Sequence, residues 1–191
     1  MLIDPILTET DTTKLSTVGR DVVVLSHRLD MTGAFEDAAI KAYISSHPLP
    51  ELELLPSNTS QNRALVGGHV GEHVFSDVVM QNVGVKLKRV TERHTVLEEI
   101  AEQLRIELEE NTQACINPTL DMLLLPKSME IECSTNVEYV LNVYGEVDVT
   151  LDNGVHVLLG EDRLLSTFPN QITHLVGRDD FSLVLTSNVS D

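Results

Sequence analysis

Val147-Asp148-Val149-Thr150-Leu151-Asp152-Asn153-Gly154-Val155-His156-Val157-Leu158-Leu159 reads as two strands on one tight turn. Val147, Val149 and Leu151 alternate with Asp148 and Thr150, the period of a strand with one buried face. Asn153-Gly154 accepts the positive φ that a tight hairpin turn demands. Before this hairpin come Met122-Leu123-Leu124-Leu125, Met129 to Cys133 and Val137 to Tyr144; after it come Leu164 to Phe168, Ile172 to Val176 and Phe181 to Leu185. Many short strands at close spacing, with no repeat of fixed period, predict a β-sandwich or barrel.

Upstream of Leu120 the pattern is mixed. The first twenty residues are Thr-rich and polar and read as an irregular lead-in. Asp21-Val22-Val23-Val24-Leu25 is a β-branched run that predicts a buried strand. Phe35, Ala39 and Ala42/Tyr43 fall at helical spacing, and His47-Pro48-Leu49-Pro50 stops that helix. Glu51-Leu52-Glu53-Leu54 alternates as a second strand, Pro56 to Asn62 reads as a loop, and residues 76–82 as a short helix capped by Ser76. Val85, Leu87 and Val90 predict a further strand with Lys86 and Lys88 facing water. The best-marked helix runs from Thr95 to about Glu110: Thr95-Val96-Leu97-Glu98 is a capping box, and Leu97, Ile100, Ala101, Leu104 and Leu108 form one apolar stripe. Its other face carries Glu98, Glu99, Glu102, Glu107, Glu109 and Glu110, read as solvated.

The chain has 191 residues, with 13 Lys plus Arg against 30 Asp plus Glu and a formal charge of −17. That length fits one domain. Hydrophobic residues at 42% and charged residues at 23% are a globular mix, and the absence of Trp leaves an aliphatic core. The acidic balance argues against nucleic acid and against anionic membrane surfaces. The nearest thing to a basic patch, Lys86, Lys88, Arg89 and Arg93, is too short to offset it. No apolar run has transmembrane length, and Met1-Leu2-Ile3-Asp4-Pro5 carries no basic residue and does not read as a secretory signal. Cys115 and Cys133 make neither a disulfide framework nor a CxxC pair. A reduced, cytoplasmic setting is the expectation.

Glu138 followed by Gly145 resembles the end of the first cupin motif, and Phe168-Pro169-Asn170-Gln171-Ile172-Thr173-His174 resembles the second, a proline turn leading to a histidine. Val24-Leu25-Ser26-His27-Arg28-Leu29-Asp30-Met31-Thr32-Gly33-Ala34-Phe35-Glu36-Asp37 is similar to the opening of bacterial cupin-like proteins of the JmjC type, a branch of the 2-oxoglutarate and iron(II) oxygenases. Val85 to Val90 resembles that family's next strand. The scattered matches span residues 21–187. The resemblance implies a mainly β protein with a helical N-terminal part (α+β), built on a cupin, double-stranded β-helix jelly-roll barrel. It divides the chain into a lead-in (1–20), an α/β part packed on the barrel (21–118) and the barrel (119–191).

That family holds iron with a His-x-Asp pair and a distal histidine. His174 matches the distal position, but the paired position falls at Glu132-Cys133-Ser134, and the basic residue expected soon after the glycine falls near Val147. The resemblance therefore implies a pseudoenzyme: a non-catalytic relative, with no cofactor, serving as a small-molecule binding or interaction module. The alternative is an oxygenase-like enzyme in which Glu132 or Cys133 joins Glu138 and His174 around Fe(II) or Zn. Strand parity bears on it: Ile131 and Cys133 share one face, Glu130 and Glu132 the other, so burying Ile131 sends Glu132 outward. His69-Val70-Gly71-Glu72-His73 spells an inverted zincin motif, which needs a helix that Gly67, Gly68 and Gly71 oppose. His27, His47, His94 and His156 read as lone polar histidines, and Ser134 and Ser166 lack a nucleophile elbow. Open sheet edges must be covered, either by strands near Val22 and Leu87 or by a second copy, and the chain is expected to be a homodimer joined through those strands or through the helix beginning at Thr95.

Overall fold

The Asn153-Gly154 turn joins strands β7 (Val147–Leu151) and β8 (His156–Leu159), which pair antiparallel with Val147 opposite Leu159 and Thr150 opposite His156. The next strands outward pair in the same nested way. β6 (Tyr139–Tyr144) pairs with β9 (Arg163–Ser166), β5 (Glu130–Glu132) with β10 (Ile172–Gly177), and β4 (Leu120–Pro126) with β11 (Phe181–Ser187). Successive pairs fall in opposite sheets, so a long bent hairpin is wrapped into two layers. The computed structural model describes residues 5–8, 12–18, 20–55, 82–111, 119–133, 137–168 and 171–187.

Three N-terminal strands extend one layer. β1 (Val23–Ser26) pairs with β9, β3 (Gly84–Leu87) with β4, and β2 (Leu52–Leu55) with β3. The result is a seven-stranded sheet in the order β1-β9-β6-β11-β4-β3-β2, facing a four-stranded sheet in the order β5-β10-β7-β8. The fold is thus mainly β and antiparallel. No ladder joins the two sheets among the described residues, so the expected barrel takes the form of a two-sheet sandwich. The strands near Val22 and Leu87 cover β9 and β4 within the same chain.

Two aliphatic cores follow from strand parity. Leu123, Leu125, Val140, Val147, Val149, Leu159, Leu165, Leu175 and Val184 fill the space between the sheets. The other face of the large sheet, with Met122, Leu124, Leu141, Leu164, Leu183 and Leu185, packs under helices. These are α1 (Thr12–Thr17), α2 (Asp37–Ser46), α3 (Val90–Arg93) and α4 (Thr95–Asn111). β4 is buried on both faces, which is why its sequence is a continuous apolar run rather than an alternating one.

Two expectations need correction. Residues 12–17, placed in an irregular lead-in, form α1, whose Leu15 is buried in the helix-side core. Glu107, assigned to a solvated acidic face, is only 9% exposed. Its carboxylate accepts the backbone N–H of Ile6 at 2.8 Å and of Leu7 at 2.7 Å, and Gln103 Nε2 donates to it at 2.7 Å. Charge-assisted bonds of this kind are the strong ones, and truncation leaves two amides without acceptors. Glu107→Ala is expected to cost about 3 kcal/mol in chemical denaturation, with Glu107→Gln intermediate because the amide keeps one acceptor.

Candidate functional site

The four residues the cupin resemblance singles out divide between two faces and two sheets. His174 lies on β10, opposite Glu132 on one side and Thr150 on the other. Leu175, the next residue, is fully buried between the sheets with Val149 and Ile131 as its cross-strand neighbours. Adjacent residues on a strand point to opposite faces, so the His174 imidazole stands on the outer face of the small sheet, its side chain 39% exposed. Nδ1 lies 3.1 Å from Thr173 Oγ1 and Nε2 4.0 Å from Glu130 Oε1.

Glu132 shares that outer face and is exposed. Cys133 is turned the other way and packs against the inter-sheet core, its backbone N–H donating to Thr173 O at 2.8 Å. Burial pushes its thiol up to about 12, so near neutral pH it carries the proton that a metal or a nucleophilic role would require it to lose. Glu138 leads into β6 of the other sheet. Its backbone N–H donates to Ser187 Oγ at 2.9 Å, its carbonyl accepts from Thr167 N–H at 2.9 Å, and burial raises its carboxyl above the ordinary range. Glu132 and His174 are therefore brought together on the surface, with Cys133 facing the core and Glu138 in the opposite layer. Among the described residues, no group of three or more His, Cys, Asp and Glu is placed to hold a metal. The HxxEH segment and Ser134 lie outside the described residues, as does Cys115.

The reason His174 points outward is local. Between Ile172 and His174 the β10–β7 register shifts, which marks a β-bulge. Ile172 is buried in the inter-sheet core and so is Leu175, three residues on, where an unbroken strand would alternate every second residue.

The short basic run is internally neutralised. Lys86 Nζ sits 3.1 Å from Asp121 Oδ2, and Lys88, Arg89 and Arg93 pair with Glu53, Glu92 and Glu51. Asp121 is buried at 3% exposure and also accepts the Arg89 backbone N–H at 2.8 Å. No helix among the described residues is long and apolar enough to cross a membrane.

Two histidines read as isolated in the sequence meet in the fold. His47, at the end of α2, places Nδ1 3.3 Å from Nε2 of His94, between α3 and α4. Nε2 of His47 faces Glu51 Oε2 at 4.0 Å, and Glu51 is gripped by both ends of the Arg93 guanidinium. Burial is the main cause lowering both imidazoles below the ordinary histidine range. No spacing in the sequence signals this pairing; it is made by the packing of α2 against the α3–α4 junction.

No family model matches the sequence, and no curated protein matches it. Solved structures similar to part of the chain include a cupin superfamily protein from Desulfitobacterium hafniense DCB-2, at 15% identity over 38% of this chain and 67% of that one, with a TM-score of 0.33. Ectoine synthase from P. lautus is similar at 18% identity over 36% of this chain and 51% of its own length, with a TM-score of 0.30. A cupin domain of an XRE-family transcriptional regulator from Enterobacter cloacae is similar at 14% identity, over 38% and 82% of the two chains, with a TM-score of 0.32. The matched part thus spans about half the length of the ectoine synthase.

Proposed function

We propose that this chain is a non-catalytic, cupin-like relative of the JmjC-type oxygenases, in which β4 to β11 form a jelly roll that serves as a binding or interaction module. The nesting of first strand with eighth, second with seventh, third with sixth and fourth with fifth supports the jelly roll. The observation that carries the non-catalytic reading is the inward position on β10: it holds Leu175 among Val149, Ile131 and their aliphatic neighbours, while His174 stands outside. A metal-dependent oxygenase needs an imidazole and a carboxylate converging on open coordination positions. Here that region of the sandwich is packed with branched aliphatic side chains, as small barrels fill their interiors.

Elemental analysis of protein purified without chelator tests this reading. We expect less than about 0.1 equivalent of iron or zinc per chain, since a structural site would be retained through purification. Added iron(II) with 2-oxoglutarate should move the melting temperature by less than about 1 °C, because a ligand that binds only the folded state must raise it. His174→Ala should change stability by no more than about 0.5 kcal/mol, as for a surface position. One iron or zinc per chain that disappears in His174→Ala would overturn the proposal.

A further inference from the structure

We propose that the His47–His94 pair is an acid-operated latch, holding the end of α2 and the turn into β2 against the α3–α4 junction until the pair takes up a second proton. The ring centroids are 5.5 Å apart and the facing nitrogens 3.3 Å apart. The difference is what the two ring radii account for, so both nitrogens lie on the line between the rings. That is the geometry of an N–H···N hydrogen bond. It is not that of two lone pairs converging on a metal to one side.

The surroundings fix which nitrogen carries the proton. His47, whose side chain is fully buried, turns Nε2 toward the Glu51 carboxylate, and that Nε2 has no hydrogen-bond partner. The negative field of Glu51 keeps the proton on Nε2, which leaves Nδ1 as an acceptor for His94 Nε2–H. Both nitrogens of His47 are then committed. A first added proton goes to Nδ1 of His94, the one vacant lone pair, and the bond between the rings survives. A second proton has only His47 Nδ1 to occupy, which sets two N–H groups face to face and breaks the bond.

Charges on every packed element tune this response. Glu51 favours His47 in its charged form and Arg93 opposes it, while His47 in turn disfavours the charged form of His94. Arg89 and Arg93 act on Glu51. The Tyr43 ring lies 4.7 Å from the His94 ring. The His94 carbonyl accepts the Leu97 and Glu98 N–H groups, so His94 sits at the N-terminus of α4, where a cation is disfavoured. When the latch opens, charged His47 still has Glu51, already 4.0 Å from its Nε2 in the closed arrangement, as a partner, in competition with Arg93.

Hydrogen exchange on the full chain tests the latch. Between about pH 7.5 and about pH 5, amides of α2 and of residues 90–98 should lose about tenfold more protection than those of β4 and β11, after correction for intrinsic rates. The His47→Gln/His94→Gln double variant keeps neutral hydrogen-bonding groups and should lose that pH response. If the double variant fails to fold, nitrogen-resolved imidazole spectra of the unaltered chain decide. The latch requires the Nε2–H tautomer on both rings near neutral pH and His94 titrating before His47. Two rings titrating independently at the ordinary histidine midpoint, or an unchanged pH response in the double variant, would overturn it.

Discussion

Gly145→Ala should cost roughly 3 kcal/mol, while Gly154→Ala should cost only about 1 kcal/mol, although both glycines sit at positive φ in tight turns. The shared part is the left-handed conformation, at φ +73 and φ +78. The difference is space. A Cβ on Gly145 would lie 2.4 Å from the backbone oxygen of Phe181 and 2.9 Å from Ser182 Oγ, whereas one on Gly154 meets nothing within 4 Å. Backbone atoms of a central strand cannot yield cheaply, so overpacking adds roughly 2 kcal/mol at Gly145. Gly145 is also where the chain crosses from the large sheet to the small one. Its N–H donates to Glu161 Oε1 at 3.0 Å, and its carbonyl accepts Asn142 Nδ2 at 2.6 Å. Urea denaturation of the two variants side by side measures the gap; equal losses would mean that the close approach of β11 is not what demands glycine.

Residue pattern alone carried the hairpin at Asn153-Gly154, the long helix from Thr95 and the existence of strands near Val22 and Leu87. These are local properties, set by period, turn chemistry and β-branching. What the pattern did not carry was partnership: Leu25 pairs with Leu164 and Val85 with Leu124, choices made by tertiary packing. The same limit governs the site. Parity placed Ile131 and Cys133 on one face and Glu130 and Glu132 on the other because β5 is unbroken. On β10 the bulge between Ile172 and His174 inserts an extra step, and Leu175 takes the place that uninterrupted alternation would have given to His174. Glu107 was hidden for a related reason. Helical periodicity says which face a glutamate occupies, but not that residues 5–8 return to lie across it.

Acidification is expected to remove about 3 kcal/mol of stability through His27 alone, between its unfolded value near 6.5 and its folded value of about 4. Burial dominates this shift: the side chain is fully enclosed, Nδ1 accepts the Leu29 N–H at 3.3 Å, and Nε2 has no hydrogen-bond partner. The Arg163 and Asn142 carbonyls and the Asp30 charge offset part of it. Because the folded value is depressed, the unfolded chain binds more protons in this window. The contribution is therefore complete above the unfolded value, declines as pH falls through the window, and is fully lost below about 4. Asp162 works in the opposite sense. Its Oδ1 lies 3.7 Å from His27 Nδ1, and burial, reinforced by Asp30 and Glu161, raises its carboxyl to about 6. That raised value favours the folded state as pH drops below it, although with 38% of the side chain exposed the effect is screened. Two variants separate the opposing groups. His27→Gln should flatten the decline of stability across the window, and Asp162→Asn should steepen it. Equilibrium unfolding at several pH values gives both slopes; a His27→Gln protein as acid-sensitive as the parent would show that the lability arises elsewhere.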